Sequence, residues 1–309
     1  MTDLPPNSRA ATPVPLSPGV TSGDGGGAPR RAVIVGAGGR MGSLFLRRAR
    51  AAGLPAEGID LPFSDVALAA VCNGADLILF CVPASVLDGV LRAFVPHLPP
   101  TATVADITSV KERPMTLMRR HWRGPVVGTH PLFGPGVRPD DPHPVAVVPD
   151  PDAGDAHVRL VTAFFEAVGC HPFLTTAAEH DRAMARIQNL NFITNLVYFA
   201  MLAGDESLTP FLTPSFRRRH DAARKMLTED APMFAGLFDA NPYSQEAVRQ
   251  YSNLLHIASA GDIDLLCNRA IRWWPGTSLP EHARAGLGGD RVAGDTEGVP
   301  ARALCPEAS

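Results

Sequence analysis

Short apolar runs of strand length alternate with segments of helical spacing between residues 31 and 150, and this alternation limits the fold more than any other feature of the chain. The strand-length runs are 32–35, 58–61, 76–82, 102–107, 125–128 and 144–148, and the helical segments between them include 41–52, 86–94 and 111–121. Alternation of this kind is typical of βαβ units around a parallel sheet. We therefore predict an α/β fold with a Rossmann-type domain over residues 30–150.

The second half of the chain has a different pattern. Segments with helical spacing follow one another without intervening strands, at 156–169, 177–203, 216–239, 242–260 and 262–274. This pattern predicts an all-helical domain over residues 151–275. Residues 1–29 and 276–309 are rich in Pro, Gly, Ser and Thr and have little to bury, so we predict a disordered leader and a disordered tail.

Composition excludes several classes of function. The 309 residues carry 28 basic and 31 acidic side chains, and a net charge of −3 gives no basic field for nucleic acid. The five cysteines are scattered without a C-x-x-C pair, so neither a disulfide framework nor a metal site is predicted. No apolar stretch approaches the roughly 20 residues of a membrane span. We expect a cytoplasmic protein without a membrane partner.

The first predicted strand runs into a glycine-rich turn, V-I-V-G-A-G-G-R-M-G, at residues 33–42. Glycine lets phosphates approach the backbone, and the N-terminus of the next helix attracts the pyrophosphate of a dinucleotide. The strict G-x-G-x-x-G register does not fit. The usable set is Gly36, Gly39 and Gly42, with Arg40 and Met41 at the start of the helix.

An acidic residue follows at the distance expected of a dinucleotide site. Asp60 ends the second predicted strand, 18 residues after Gly42, where a carboxylate accepts the ribose hydroxyls of NAD and repels the 2′-phosphate of NADP. Val82 and Pro83 lie at the tip of the third predicted strand and are expected to line the same cleft. We therefore predict NAD as the cofactor.

Three further motifs lie where a ligand would meet the sheet edge or the helical domain. They are D-I-T-S-V-K at 106–111, G-T-H-P-L-F-G-P at 128–135 and E-H-D-R-A-M-A-R-I-Q at 179–188. Together, in this order, they resemble the motifs of the prephenate dehydrogenase family. The resemblance covers about residues 31–275, and it implies a Rossmann domain followed by a helical domain through which two chains form a homodimer.

The resemblance implies NAD-dependent oxidative decarboxylation of prephenate to 4-hydroxyphenylpyruvate. In that reaction the hydride leaves ring C4 and the ring carboxylate leaves as carbon dioxide. His130 matches the family's catalytic histidine, which accepts the hydroxyl proton, and Ser109 matches a serine near the reacting hydroxyl. Ser109 has a second interpretation as the N-cap of the helix that follows.

The two carboxylates of such a substrate need cationic or hydrogen-bonding partners. By the family's pattern an aromatic-Arg pair lies 13 residues before an Asp, which selects Arg217 as the carboxylate ligand. His180 and Gln188 match family residues on the substrate side of the long helix. A buried Gln188 would need a partner, from the substrate or the backbone.

The chain departs from the family at one position. Members carry I-Q-x-L-x-H, whereas Phe192 stands here in place of that histidine. The departure keeps two alternative substrates open, arogenate and 4-amino-4-deoxyprephenate.

Two other classes of protein share the predicted fold. A non-catalytic dinucleotide sensor would not need His130, Ser109 and Arg217 together. A β-hydroxyacid dehydrogenase would need a lysine on the helix at 177–203, and that segment has none.

Overall fold

A computed structural model describes residues 27–274, so the predicted leader up to residue 26 and the predicted tail lie outside the described residues. Residue contacts divide the described chain into two compact units, 27–248 and 249–274. The first contains the sheet and the helices that pack against it. The second contains the end of the helix Ser244–Ser259, the helix Ile263–Ala270 and a 3₁₀ turn at Ile271–Trp273.

The first unit is built on a seven-stranded sheet whose strand order is β2-β1-β3-β4-β5-β6-β7. The strands are β1 Ala32–Val35, β2 Ala56–Ile59, β3 Leu77–Phe80, β4 Thr103–Asp106, β5 Val126–Pro131, β6 Pro144–Pro149 and β7 His171–Leu174. The order reverses between β1 and β3, so a crevice opens at their carboxyl ends. The α/β fold class predicted from the sequence is confirmed.

One strand departs from the predicted parallel sheet. β6 pairs antiparallel with β5, with Gly128 opposite Val148. No helix lies between Pro131 and Pro144. A parallel partner needs a crossover of a dozen or more residues, usually a helix, so the helix-free connection returns the chain in the opposite direction.

Helices cover both faces of the sheet. They are α1 Arg40–Ala51, α2 Asp65–Cys72, α3 Leu87–Phe94, α4 Glu112–His121 and α5 Asp155–Ala167. Alternate residues of β1 serve the two faces: Val33 and Val35 pack with the core under α2, α3 and α4, whereas Ala32 and Ile34 pack with the core under α1 and α5. All four side chains are buried, which explains why the strand is apolar throughout.

The chain beyond β7 is helical. Its helices are α6 Ala177–Met184, α7 Leu190–Leu202, α8 Pro214–Thr228, α9 Ala231–Ala240, α10 Ser244–Ser259 and α11 Ile263–Ala270. The segment 177–203 was predicted as one helix, but a π-helical turn at Ala185–Asn189 separates α6 from α7. The segment 216–239 is two helices because Asp230 and Pro232 begin a new one, and Pro is tolerated only in the first turn.

The sheet extends past residue 150, where the sequence placed the domain boundary. Helix α5 leads into β7, which pairs parallel with β6. The α/β part therefore ends at Leu174, and the division into two domains stays a prediction. None of the helices among residues 27–274 is long and apolar enough to cross a membrane.

Candidate active site

The glycine-rich turn forms the floor of the crevice at the carboxyl end of β1. Gly36 has a φ of +82°, and a Cβ there would lie 2.6 Å from the carbonyl oxygen of Cys81. A Cβ on Gly42 would lie 2.1 Å from the carbonyl oxygen of Gly36. Both positions therefore exclude any larger residue. Val82 borders Gly36, and Pro83 follows it at the end of β3.

Two features make the turn suitable for a phosphate. Gly39 is the N-cap of α1 and offers no side chain to the first N–H groups of the helix. Asp60, exposed just after β2, accepts hydrogen bonds from the backbone N–H of Gly38 at 2.6 Å and of Leu61 at 2.8 Å. Its carboxylate therefore lies directly beside the turn, where the sequence placed it.

A cleft of about 540 Å³ lies between the carboxyl edge of the sheet and helices of the second half of the first unit. Among its lining residues are Arg40, Met41, Ile107, Ser109, His130, Phe133, Met184, Gln188, Asn191, Lys225, Asp230 and Phe234. Arg40 and Met41 belong to the start of α1, so the cleft reaches the glycine-rich turn. The structure thus brings Arg40 and Met41 of the predicted nucleotide site to the same cavity as Ser109, His130 and Gln188.

The side chain of His130 is hydrogen-bonded to a second histidine, His180. Its Nδ1 lies 2.9 Å from Nε2 of His180, and Nδ1 of His180 lies 2.8 Å from Oδ1 of Asp181. All three side chains are buried. His180 does not line the cleft, so the structure does not place it against a substrate as the family resemblance implied.

The two imidazoles are kept neutral by their surroundings. Burial, the neighbouring His180 and the charge of Lys111 hold the pKa of His130 well below the ordinary value of 6.5. Burial also lowers the pKa of His180, although the hydrogen bond to Asp181 opposes the shift. A neutral imidazole carries one N–H donor and one acceptor nitrogen, so His130 can act as a base at neutral pH.

Lys111 forms a buried ion pair beside this chain of histidines. Its Nζ lies 2.6 Å from Oδ2 of Asp106, and it also donates to the carbonyl oxygen of Thr129 at 2.5 Å. Thr108 donates its backbone N–H to the same carboxylate. Lys111 is fully buried and does not reach the cleft. The pairing with Asp106 explains the two charged residues of the D-x-x-S-V-K motif.

Ser109 lines the cleft and does not cap α4. The N-cap of α4 is Lys111, and the N–H groups of Lys111 and Glu112 bind the carboxylate of Asp181 at 2.8 and 2.9 Å. The capping role considered for Ser109 therefore belongs to an acidic side chain from α6. The Ser109 hydroxyl is left available to a ligand in the cleft.

The π-helical turn brings Gln188 into the cleft wall. Its Oε1 is buried and has no hydrogen-bond partner in the described residues. An unpaired buried amide oxygen is costly, so this atom requires a donor from a ligand or water. π-Helical turns occur frequently at functional sites.

Arg217 is exposed on α8 and does not line the cleft. The cations at the cleft are Lys225, from the last turn of the same helix, and Arg40. Both lie near Asp230, with nitrogen–oxygen distances of 3.6 Å for Lys225 and 3.9 Å for Arg40. Sequence reasoning missed Lys225. The Asp-x-Pro helix start at 230–232 marks the end of α8 and could have directed attention to that last turn.

Phe192 lies one layer behind the cleft. It is buried and stacks on Phe234, with ring centroids 5.4 Å apart and an interplanar angle of 16°. Phe234 lines the cleft, whereas Phe192 is not among its lining residues. The ring that replaces the family's histidine therefore supports the apolar wall.

Comparisons with known proteins give similarities to one group of dehydrogenases. Residues 50–174 match the family described as "Prephenate dehydrogenase, nucleotide-binding domain". This match shows similarity to that family's nucleotide-binding domain over 125 of the 309 residues. The chain is 28% identical over 209 residues to the "T-protein" of Haemophilus influenzae, which covers 66% of this chain and 55% of that protein. It is also 28% identical over 166 residues to the "Cyclohexadienyl dehydrogenase" of Zymomonas mobilis, covering 50% of this chain and 57% of that one.

The matched segments thus span a little over half the length of these curated relatives. Solved structures show the same fold at lower identity. A prephenate dehydrogenase of Aquifex aeolicus, in complex with hydroxyphenyl propionate and NAD⁺, has a TM-score of 0.64 at 17% identity and covers 84% of this chain and 98% of that one. Synechocystis arogenate dehydrogenase has a TM-score of 0.62 at 22% identity, covering 82% and 99%.

Proposed function

We propose that this protein catalyses the NAD-dependent oxidative decarboxylation of prephenate to 4-hydroxyphenylpyruvate. The observation that carries the proposal is His130, a buried neutral imidazole on the wall of a cleft that also reaches the glycine-rich turn. The family matched by residues 50–174 and the names of similar proteins, among them a cyclohexadienyl dehydrogenase, support this reaction class.

The residues of the crevice fit a dinucleotide. Gly36 and Gly42 leave no room for a Cβ, α1 presents uncapped N–H groups, and Asp60 lies beside the turn. We assign the pyrophosphate to Gly36, Gly39 and the start of α1, the ribose hydroxyls to Asp60, and the adjoining wall to Val82 and Pro83. When bound, NAD supplies the acceptor for the hydride from ring C4.

His130 accepts the proton of the 4-hydroxyl as the C4–O bond gains carbonyl character. The ring carboxylate then leaves as carbon dioxide, and its bonding electrons complete the aromatic ring. The phenol oxygen regains a proton, so the histidine ends the reaction as it began. Ser109 lines the same cleft. Its hydroxyl donates a hydrogen bond to the reacting oxygen of the substrate and orients that oxygen.

Lys225 and Arg40 bind the substrate carboxylates. They are the basic side chains among the cleft-lining residues, whereas Arg217 is exposed elsewhere on α8. Asp230 lies near both and keeps them at the cleft. Each charge-assisted hydrogen bond to a carboxylate contributes about 1.5–3 kcal/mol.

A substrate bearing an amino group is the second candidate. Gln188 offers an unpaired amide oxygen and Asp230 a carboxylate to the same cleft, and both are acceptors for an ammonium. Arogenate carries that group on its side chain, and 4-amino-4-deoxyprephenate carries it on the ring. Phe234, which stacks on Phe192, adds an apolar side chain to the lining of the same cleft.

Formation of NADH, measured at 340 nm, tests the proposal. Prephenate, arogenate and 4-amino-4-deoxyprephenate are each supplied with NAD and with NADP. Turnover of prephenate with NAD is the expected result. Turnover of an aminated compound alone would replace the first candidate by the second, and no turnover of any compound with either cofactor would exclude both.

We also propose that two chains form a homodimer through the helical part. Helix α7 is rich in large apolar side chains, yet Phe192 is its one residue buried in the described part of the chain. Val197 and Met201 are 62% and 72% exposed. Contiguous exposed apolar surface of this kind marks a protein interface. Light scattering coupled to gel filtration should give twice the 32.8 kDa chain mass, and Val197→Glu should halve it.

A further inference from the structure

The His130–His180–Asp181 chain fixes which nitrogen of His130 carries its proton. His130 uses Nδ1 to reach His180, which leaves Nε2 as its remaining nitrogen. Nε2 has no hydrogen-bond partner among the described residues, and the imidazole lines the cleft. For His130 to act as a base toward a ligand, Nε2 must hold the lone pair and Nδ1 the hydrogen.

Asp181 lies at one end of the hydrogen-bonded series His130–His180–Asp181, and its carboxylate can only accept hydrogen bonds. Its carboxylate accepts the backbone N–H groups of Lys111 and Glu112, which can only donate, at the N-terminus of α4. A helix N-terminus favours an anion, so this carboxyl acts as an acceptor toward His180 as well. His180 therefore donates from Nδ1 to Asp181, and its Nε2 is left as an acceptor.

The direction of the hydrogen bond between His130 and His180 follows from the protonation of His180. Since Nε2 of His180 accepts, Nδ1 of His130 must donate, and Nε2 of His130 is unprotonated. A capping box formed by Thr176 and Glu179 starts α6 immediately before this pair, which holds His180 and Asp181 in register. The amide of Asn241 also binds the carbonyl oxygen of Asp181 at 2.8 Å.

We propose that His180 and Asp181 are positioning residues that hold His130 in the Nδ1–H tautomer, with its Nε2 lone pair directed to the reacting hydroxyl. The inference rests on the proposed role of His130 as the proton acceptor. It gives His180 a function different from the substrate contact implied by the family resemblance. Asp181 then has two tasks at once, because it also caps α4.

Three variants separate positioning from other roles. His180→Leu removes the acceptor for His130, while His180→Gln keeps an amide oxygen at about the same reach. His157→Leu is the matched control, since His157 is also partly buried and hydrogen-bonded, to Thr103 at 2.8 Å, but lies away from the cleft. Asp181 is a poorer target because its replacement also uncaps α4.

Long-range ¹H–¹⁵N correlation spectra of histidine-labelled protein report the tautomer without any substrate. The signal of His130 is assigned by its loss in His130→Asn. We expect the Nδ1–H tautomer in the wild type, in His180→Gln and in His157→Leu. His180→Leu should show the Nε2–H tautomer or a mixture of the two forms.

Kinetics with the turned-over substrate give the second readout. His180→Leu should lower kcat by about 10- to 100-fold, less than the about 10²- to 10⁴-fold loss typical of removing a general base, with KM nearly unchanged. His180→Gln should recover most of the loss. A tenfold rise in KM with unchanged kcat would instead make His180 a substrate ligand.

An Nδ1–H tautomer that persists in His180→Leu, or a wild-type kcat in that variant, overturns the inference. Failure of the proposed function is distinguishable from this result. A wild-type protein without activity on any of the three compounds would exclude the reaction, and the spectra would still decide the tautomer.

Discussion

Two buried polar networks lie side by side under the cleft and differ in whether they are complete. The Asp106–Lys111 network is closed, because the ammonium is bound by a carboxylate and a backbone carbonyl and is fully buried. The network from Asp181 through His180 to His130 is open, since its last nitrogen faces the cleft. They meet at Lys111, whose backbone N–H binds Asp181.

The difference assigns a structural role to one network and a chemical role to the other. A fully satisfied buried network rigidifies its surroundings, whereas an unsatisfied group at the end of a rigid network is available for a ligand. The closed pair fixes the carboxyl ends of β4 and β5, from which Ser109 and His130 project. Mutations of Lys111 or Asp106 should therefore act on stability, whereas mutations of His130 and His180 should have their main effect on catalysis.

The largest expected effect is on the open network. His130→Asn should lower kcat by about 10²- to 10⁴-fold, the range for losing a general base. Steady-state rates at pH 7.5 measure this loss, and fluorescence titration should show little change in NAD affinity. A fall of less than tenfold would remove His130 from the chemistry.

A mutation in the closed network should lower the free energy of unfolding, whereas His130→Asn lowers kcat. Lys111→Met leaves the carboxylate of Asp106 buried and unpaired, which costs about 3–5 kcal/mol of folding free energy. Urea unfolding measures the loss. Asp106→Asn combined with Lys111→Met removes the unpaired charge and should restore most of the stability. A double variant as unstable as the single one would show that the charge of the pair is not the cause.

The sequence predicted the sheet side of this site better than its helical side. Strand ends are marked by short apolar runs, so the positions of Asp60, Ser109 and His130 at one edge followed from local pattern. Contacts made by a helix depend on which of its turns faces the sheet. The spacing of apolar residues in the sequence predicts one continuous helix and gives no sign of the π-helical turn before α7. In the structure Gln188 lines the cleft, whereas His180 is hydrogen-bonded to His130 and is not among the lining residues.

The choice of the basic side chain that binds the substrate carboxylate was also difficult to make from the sequence. Arg217 was selected by the family's aromatic-Arg pattern, whereas Lys225 lies eight residues further along α8, about 12 Å at 1.5 Å per residue. Lys225 lies in the last turn of that helix, which ends at Thr228, and it lines the cleft. A three-residue run of arginines is more noticeable in a sequence than one lysine in a last turn, yet the arginine chosen from that run is exposed.

Lys225→Gln tests this choice and should have an intermediate effect. Loss of one charged hydrogen bond of about 1.5–3 kcal/mol corresponds to a rise in substrate KM of about 10- to 100-fold. Arg217→Gln is the matched control, since it removes a positive charge from the same helix and should leave KM within about twofold. The reverse result, with KM raised only in Arg217→Gln, would support the family spacing over the placement of Lys225.

The smallest expected effect is a shift in the pH dependence of kcat/KM, which tests how His180 influences the pKa of His130. The pKa of His130 is held well below 6.5, so kcat/KM should stay constant as pH falls to 6.5 and decline only below it. His180 is one cause of that low pKa, and His180→Gln should therefore move the acid limb upward toward 6.5.

Stability should depend on pH in the same direction. The unfolded chain takes up protons near pH 6.5, whereas His130 and His180 resist them in the folded state. Their contribution is thus complete above pH 6.5 and is lost as pH falls toward the folded pKa values. Urea midpoints at pH 7.5 and 5.5 should differ less in His180→Gln than in the wild type. An equal difference would mean that the histidines of the open network do not carry the acid sensitivity.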